Sequence, residues 1–155
     1  MIVVRWLVAW VLAVLVTAAT SSVFQSQFNI ARIAALDEPV SLRTRLEMTL
    51  FDLVSFAPTY AIIVALGLVI AFVVAGLLTR RRTGAGRAGL FALAGAVAIG
   101  VALWLMSAML PVTVISAARS TFGFVMLCLA GALGGWLHAA VMARGVARQR
   151  QNGQN

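Results

Sequence analysis

Apolar positions run almost unbroken through four parts of the chain, residues 2–20, 55–79, 88–110 and 121–143. A membrane-crossing helix needs about 20 predominantly apolar residues, and each segment reaches or approaches that length. The first is interrupted only by Arg5. The second and third carry no charge, and the fourth holds only His138 and Cys128 as ionisable groups. The pattern predicts an all-α, integral membrane four-helix bundle forming one polytopic domain. A second reading of residues 2–20 is a secretory signal peptide, with Val16-Thr17-Ala18 as its small-residue cleavage site; its thin basic region and long apolar run favour an uncleaved helix.

The long connection, about residues 21–54, has a different rhythm. Phe24, Phe28 and Ile33 alternate with Gln25, Gln27, Asn29 and Arg32, a spacing that fits an amphipathic helix of about three turns. Asp37-Glu38-Pro39 breaks it, because proline disfavours helix in the residue before it. Ser41 can then cap a second helix, in which Leu42, Leu46, Leu50 and Leu53 recur at helical spacing while Arg43, Arg45, Glu47 and Asp52 stay available to water. These two short amphipathic helices, Phe24 to Leu36 and Ser41 to Leu53, are expected to lie against the membrane or cap the bundle. Pro58 falls early in the second span, where it serves as a kink or a first-turn residue.

Composition agrees with a membrane setting. The chain of 155 residues is 63% hydrophobic and 10% charged, against about 45–50% and 25% in soluble domains. That excludes a soluble enzyme and a free nucleic-acid-binding domain. All twelve basic residues are Arg, which fits GC-rich bacterial codon usage.

Charge position predicts orientation. With the amino terminus in the cytoplasm, that side receives Arg5, Arg80, Arg81, Arg82, Arg87, Arg144, Arg148 and Arg150, and no acid. The other side receives Arg32, Arg43, Arg45 and Arg119 against Asp37, Glu38, Glu47 and Asp52, a net of zero. The positive-inside rule then puts both termini in the cytoplasm of a bacterial inner membrane, with the 21–54 connection outside. Thr83-Gly84-Ala85-Gly86 reads as a tight cytoplasmic turn, residues 111–120 as an outer loop, and residues 144–155 as a basic, Gln/Asn-rich tail that frays.

Candidate chemistry is sparse. No Asp or Glu falls inside a span, although ion-coupled transport normally needs an intramembrane ionisable group. The single cysteine makes neither an internal disulfide nor a CxxC site. His138 reads as a helix-end histidine near the cytoplasmic border, and a metal site would need ligands the spans do not supply. No cofactor or metal is expected.

Four sets of residues remain. Gln27, Asn29, Arg32, Arg43, Arg45 and Glu47 form a candidate docking face for a partner or lipid. Arg80, Arg81, Arg82 and Arg87 are a topology signal, or alternatively a site for anionic head groups, worth about 1 kcal/mol each. On span three Ala88, Ala92, Ala96 and Gly100, and on span four Gly131, Gly135 and Ala139, have the small-residue spacing that lets helices approach closely. Spans three and four are therefore expected to pack together, or to form an interface between copies. Glu47 and Asp52 are five residues apart and share a helix face poorly.

Three functions are open: a non-catalytic accessory subunit, scaffold or assembly factor with a membrane-protein partner or homo-oligomer; a small oligomeric transporter or channel; and an interfacial lipid enzyme using Glu47 or Asp52. The pattern favours the first, with membrane lipids as further partners and no nucleic acid.

Overall fold

A computed structural model describes residues 2–36, 40–80, 84–109, 115 and 117–152, with side chains except those of residue 2 and residues 145–152. Helices α1 (Ile2–Ala34), α2 (Leu42–Leu78), α3 (Ala85–Met109) and α4 (Thr121–Asn152) follow one another, with a short 3-10 turn, Ala117–Arg119, before α4. Each helix packs against its chain neighbours, and α4 closes the ring against α1. This is an up-down four-helix bundle. All four helices are long and apolar enough to cross a membrane.

The core follows from helical spacing. Tyr60, Val64, Leu68, Phe72 and Ala75 turn inward from α2, and Phe91, Gly95, Ile99 and Leu103 from α3. Larger apolar side chains such as Ile62, Leu66 and Ile70 of α2 face outward, as they do on a helix whose solvent is hydrocarbon. Because lipid is as apolar as leucine, helices in a bilayer are held by close backbone contact more than by burial of apolar area. Glycines of α4 supply that contact on two sides. A Cβ on Gly131 or Gly135 would overlap the carbonyl of Gly95 or Phe91 on α3, and one on Gly134 would overlap the Thr17 hydroxyl and Ala13 carbonyl of α1. Ala92 also abuts Gly135, and Gly100 faces the Cys128 sulfur and the Phe124 ring. Ala96 is half-buried on the same helix.

The helix boundaries differ from the sequence expectation. No break separates residues 20 and 21, or 54 and 55; the expected surface helices are the continuous ends of α1 and α2. The cause is local. Neither glycine nor proline occurs between residues 2 and 34 or between 40 and 57, so nothing stops either helix. Pro58 lies inside α2, where it removes one backbone donor without ending the helix. The Ser41 hydroxyl caps α2 by accepting from the Thr44 amide at 3.2 Å. Asp37, Glu38 and Pro39 lie outside the described residues. α4 continues as helix through much of the expected fraying tail, to Asn152. Between α2 and α3, Gly84 takes a φ of 65°, left-handed backbone that glycine adopts without a Cβ clash.

At 1.5 Å per residue, α1 is about 50 Å long, α2 about 56 Å and α3 about 38 Å. The extra length of α1 and α2 falls where the two are joined, called here the far end. The opposite end carries Arg5, Arg80 and Arg87 and is called the basic end. At the far end Leu42 is 80% exposed, Leu46 66% and Phe51 70%.

Gly135→Leu is expected to force α3 and α4 apart and lower the detergent melting midpoint by roughly 5–10 °C, from an overpacking cost of about 1–3 kcal/mol. Gly76 has open space around its Cβ position, so Gly76→Leu should change the midpoint by less than about 2 °C. Equal shifts for the two variants would remove the packing role of Gly135.

Candidate functional site

The residues expected from sequence to form a docking face all lie at the far end. Arg43 pairs with Glu47 along α2 at 2.8 Å, both side chains being well exposed. Gln27 reaches across to α2, its side-chain amide donating to the Thr49 hydroxyl at 3.4 Å. Arg32 is exposed, and Asn29 and Arg45 are half-buried. These residues flank the α1–α2 seam. Asp52 points away from Glu47: it accepts a 2.6 Å hydrogen bond from Ser26 of α1, while Glu47 is held by Arg43. The structure therefore does not bring the two carboxylates together as a catalytic pair.

A second set was not singled out from the sequence as a site, apart from Gln25, which was expected on the outer polar face beside Gln27, Asn29 and Arg32 and is instead buried. Thr17, Ser21, Ser22, Gln25 and Ser26 of α1 are all buried. They recur at three- and four-residue spacing, which lines them along one helix face. Part of that stripe is satisfied by the bundle. Thr17 donates to the Ala130 carbonyl at 3.4 Å, and the Gln25 side-chain oxygen accepts from the Ala117 amide at 2.9 Å. Gln25 thereby pins the turn before α4 against α1. Ser21 faces the hydroxyl of Tyr60, but the hydroxyls of Ser21, Ser22 and Tyr60 close no hydrogen bond of normal geometry. Tyr60 stacks on Phe56 at 5.2 Å. The signal was visible as a 17/21/25 and 22/26 repeat of polar residues. It crosses residue 20, where hydropathy alone ended the first span.

The basic end holds a third set. His138 is 1% exposed. Its ring lies 4.4 Å from Phe72, 5.2 Å from Phe91 and 5.7 Å from Trp6, so the other three helices each contribute one aromatic ring. Trp10 stacks on Trp6 in turn. The backbone of Ala9 is near the imidazole, yet neither ring nitrogen completes a hydrogen bond. His138 is thus an interior aromatic packing residue, whereas the sequence suggested a helix-end histidine at the cytoplasmic border, either hydrogen-bonded or wet. The expectation failed because proximity to Arg144 in sequence says nothing about which way the ring turns. Arg87 lies over Phe91, with its guanidinium carbon 5.6 Å from the ring centroid, and its Nε is buried without a partner. Arg80 is exposed at the end of α2. Arg81 and Arg82 lie outside the described residues.

No group of three or more His, Cys, Asp or Glu able to hold a metal ion occurs among the described residues. The side chains present an apolar stripe beside the exposed Arg43–Glu47 ion pair at the far end, hydroxyls between α1 and α2, and cations at the basic end. No protein-family model, curated protein or solved structure matches the chain.

Gln25→Met should leave the buried Ala117 amide without an acceptor, at about 1–3 kcal/mol, and should speed hydrogen exchange at that amide. Gln27→Met, at an exposed position, should cost less than about 0.5 kcal/mol. Unchanged exchange at Ala117 would show that Gln25 does not pin the turn.

Proposed function

We propose that the chain is a multi-pass protein of a bacterial inner membrane that serves as a non-catalytic accessory or scaffold subunit. In this reading both termini are cytoplasmic, and the far end of α2 docks a helix of a partner protein. Eight arginines on the side of the termini, with no acid, support the orientation. A cytoplasmic reporter fused after residue 84 should be active, and one fused near residue 38 silent; the reverse pattern would invert the scheme.

The observation that carries the docking proposal is helix length combined with exposure. Counting from Leu78, a hydrocarbon core of about 30 Å is crossed in about 20 residues, near Pro58. Leu42, Leu46, Leu50 and Phe51 then lie about 10–25 Å beyond the hydrocarbon, past the reach of acyl chains, and all four are exposed. Burying one such side chain is worth about 1.5–3 kcal/mol. A water-exposed apolar stripe of this size marks a protein-binding surface. Its recurrence at four-residue spacing matches the ridge that a facing helix grips. The Arg43–Glu47 pair and Arg45 border the stripe and supply a polar rim.

A second reading, a small oligomeric transporter or channel, draws support from the orphaned hydroxyls of Ser21, Ser22 and Tyr60, which water or a polar solute would satisfy. Solute flux through liposomes holding only this chain would favour it.

Photo-reactive residues at Leu46 and Leu50 are expected to give one discrete protein adduct, and one at Val97 only lipid adducts. Changing Leu42 and Phe51 to Gln should abolish the protein adduct. Lipid adducts alone from Leu46 and Leu50 would contradict docking at this surface.

A further inference from the structure

A groove of about 670 Å³ runs between α2 and α3 on the outside of the bundle. Its lining is apolar throughout. Gly67, Ala71 and Ala75 of α2 and Ala94, Ala98 and Ala102 of α3 line it, each set repeating every fourth residue. Larger side chains such as Ile70 and Val97 are more exposed and form its rims. The helices come together where Gly67 faces Ala98: a Cβ on Gly67 would sit 3.8 Å from the Ala98 methyl. From Ile63 to Leu78 the groove extends about 23 Å along the helix axis.

The groove is open on its outer side, so an occupant is seated there and not enclosed, and its volume falls within the range of about 300–1,000 Å³ typical of small-molecule sites. A single extended hydrocarbon chain is narrow enough to lie on a floor of glycine and alanine.

At the basic end, arginines lie close in sequence to the groove's lining on both helices. Leu78 and Leu90 line its mouth. Arg80 follows α2 there, and Arg87 sits one turn before Leu90, on the helix face between Phe91 and Ala94. The Arg87 Nε is a buried donor with no acceptor, held beside the ring of Phe91. Such a donor is satisfied by a charged oxygen, and guanidinium matches phosphate in geometry.

We propose that the α2–α3 face is a binding site for one anionic glycerophospholipid of the surrounding bilayer, with an acyl chain in the groove and the phosphate at Arg87 and Arg80. The groove is longer than the roughly 15 Å of hydrocarbon in one leaflet, half the full core. A tail seated there is straighter than its neighbours, and lipid and helices are joined along most of the span. The site is independent of the docking stripe at the far end.

Native mass spectrometry on the detergent-purified full chain, titrated with defined lipids, tests this. Dipalmitoyl phosphatidylglycerol should bind about thirtyfold more tightly than dipalmitoylglycerol, which has the same tails and no phosphate. Arg87→Gln combined with Arg80→Gln should erase most of that ratio. Dioctanoyl phosphatidylglycerol should bind at least tenfold more weakly than the dipalmitoyl lipid, since it fills only part of the groove. Ala98→Leu, which fills the floor, should weaken both dipalmitoyl lipids while keeping their ratio. The tail-length comparison uses the unaltered protein and so stands even if that variant misfolds. Equal affinity with and without the phosphate, or for the two tail lengths, would overturn the proposal.

Discussion

The backbone contact of α4 with two neighbours at once is the constraint on which the rest of the bundle depends. Gly131 and Gly135 meet carbonyls of α3, and Gly134 meets α1 at Ala13 and Thr17. Three glycines within five positions leave no room for side chains on either contact line, so α4 sits as a wedge between α1 and α3. One turn further along, the same helix carries His138 into the space where α1, α2 and α3 come together. There Trp6, Phe72 and Phe91 enclose it. Burial of an imidazole with no hydrogen bond is costly in isolation, and it is tolerated because the ring fills volume that the glycines cannot. In a bilayer, where apolar burial supplies little preference for one helix arrangement, such contacts define the fold.

With α4 fixed, the chain divides into regions of different character. α2 leans chiefly on α1 and α3, meeting α4 through Phe72 and His138, and toward α3 its small residues leave a groove instead of a sealed seam. Toward the far end, α1 turns a polar stripe to α2 and to the turn before α4. Gln25 and Ser26 tie that stripe down through Ala117 and Asp52. The Ser26–Asp52 bond holds α1 in register with α2, while the Gln25–Ala117 bond ties α1 to the turn before α4, at the level where Phe28 meets Phe122. The long helices are therefore tied together at the base of their shared extension, and the apolar stripe of α2 is presented on a defined support.

Much of this was legible in the sequence, and the parts that were not share a cause. The existence of four helices, the Ser41 cap and the gathering of arginine at one end come from local pattern. So does the small-residue spacing of Gly131 and Gly135, although Gly95 and Gly134, which meet equally close neighbours, were not singled out. The ends of the helices were misread because hydropathy marks where a helix stops being apolar, not where it stops. Residues 21–34 and 42–54 contain no breaker, so each helix runs on through a change in composition. The turn of the His138 ring, the orphaned Arg87 Nε and the groove along Gly67 and Ala98 arise only when helices distant in sequence are set side by side.

The central claim is that α1 and α2 leave the bilayer as uninterrupted helices, so that the stripe from Leu42 to Phe51 stands clear of lipid. Single cysteines along α2 at Leu46, Leu50, Ile62, Leu66 and Ile70, in a Cys128→Ser background, test it directly. The purified protein in lipid nanodiscs would be treated with a membrane-impermeant maleimide. Rapid labelling at Leu46 and Leu50, with protection from Ile62 onward, is the expected result. Protection at Leu46 and Leu50 equal to that at Leu66 would place the stripe in the membrane and contradict the claim.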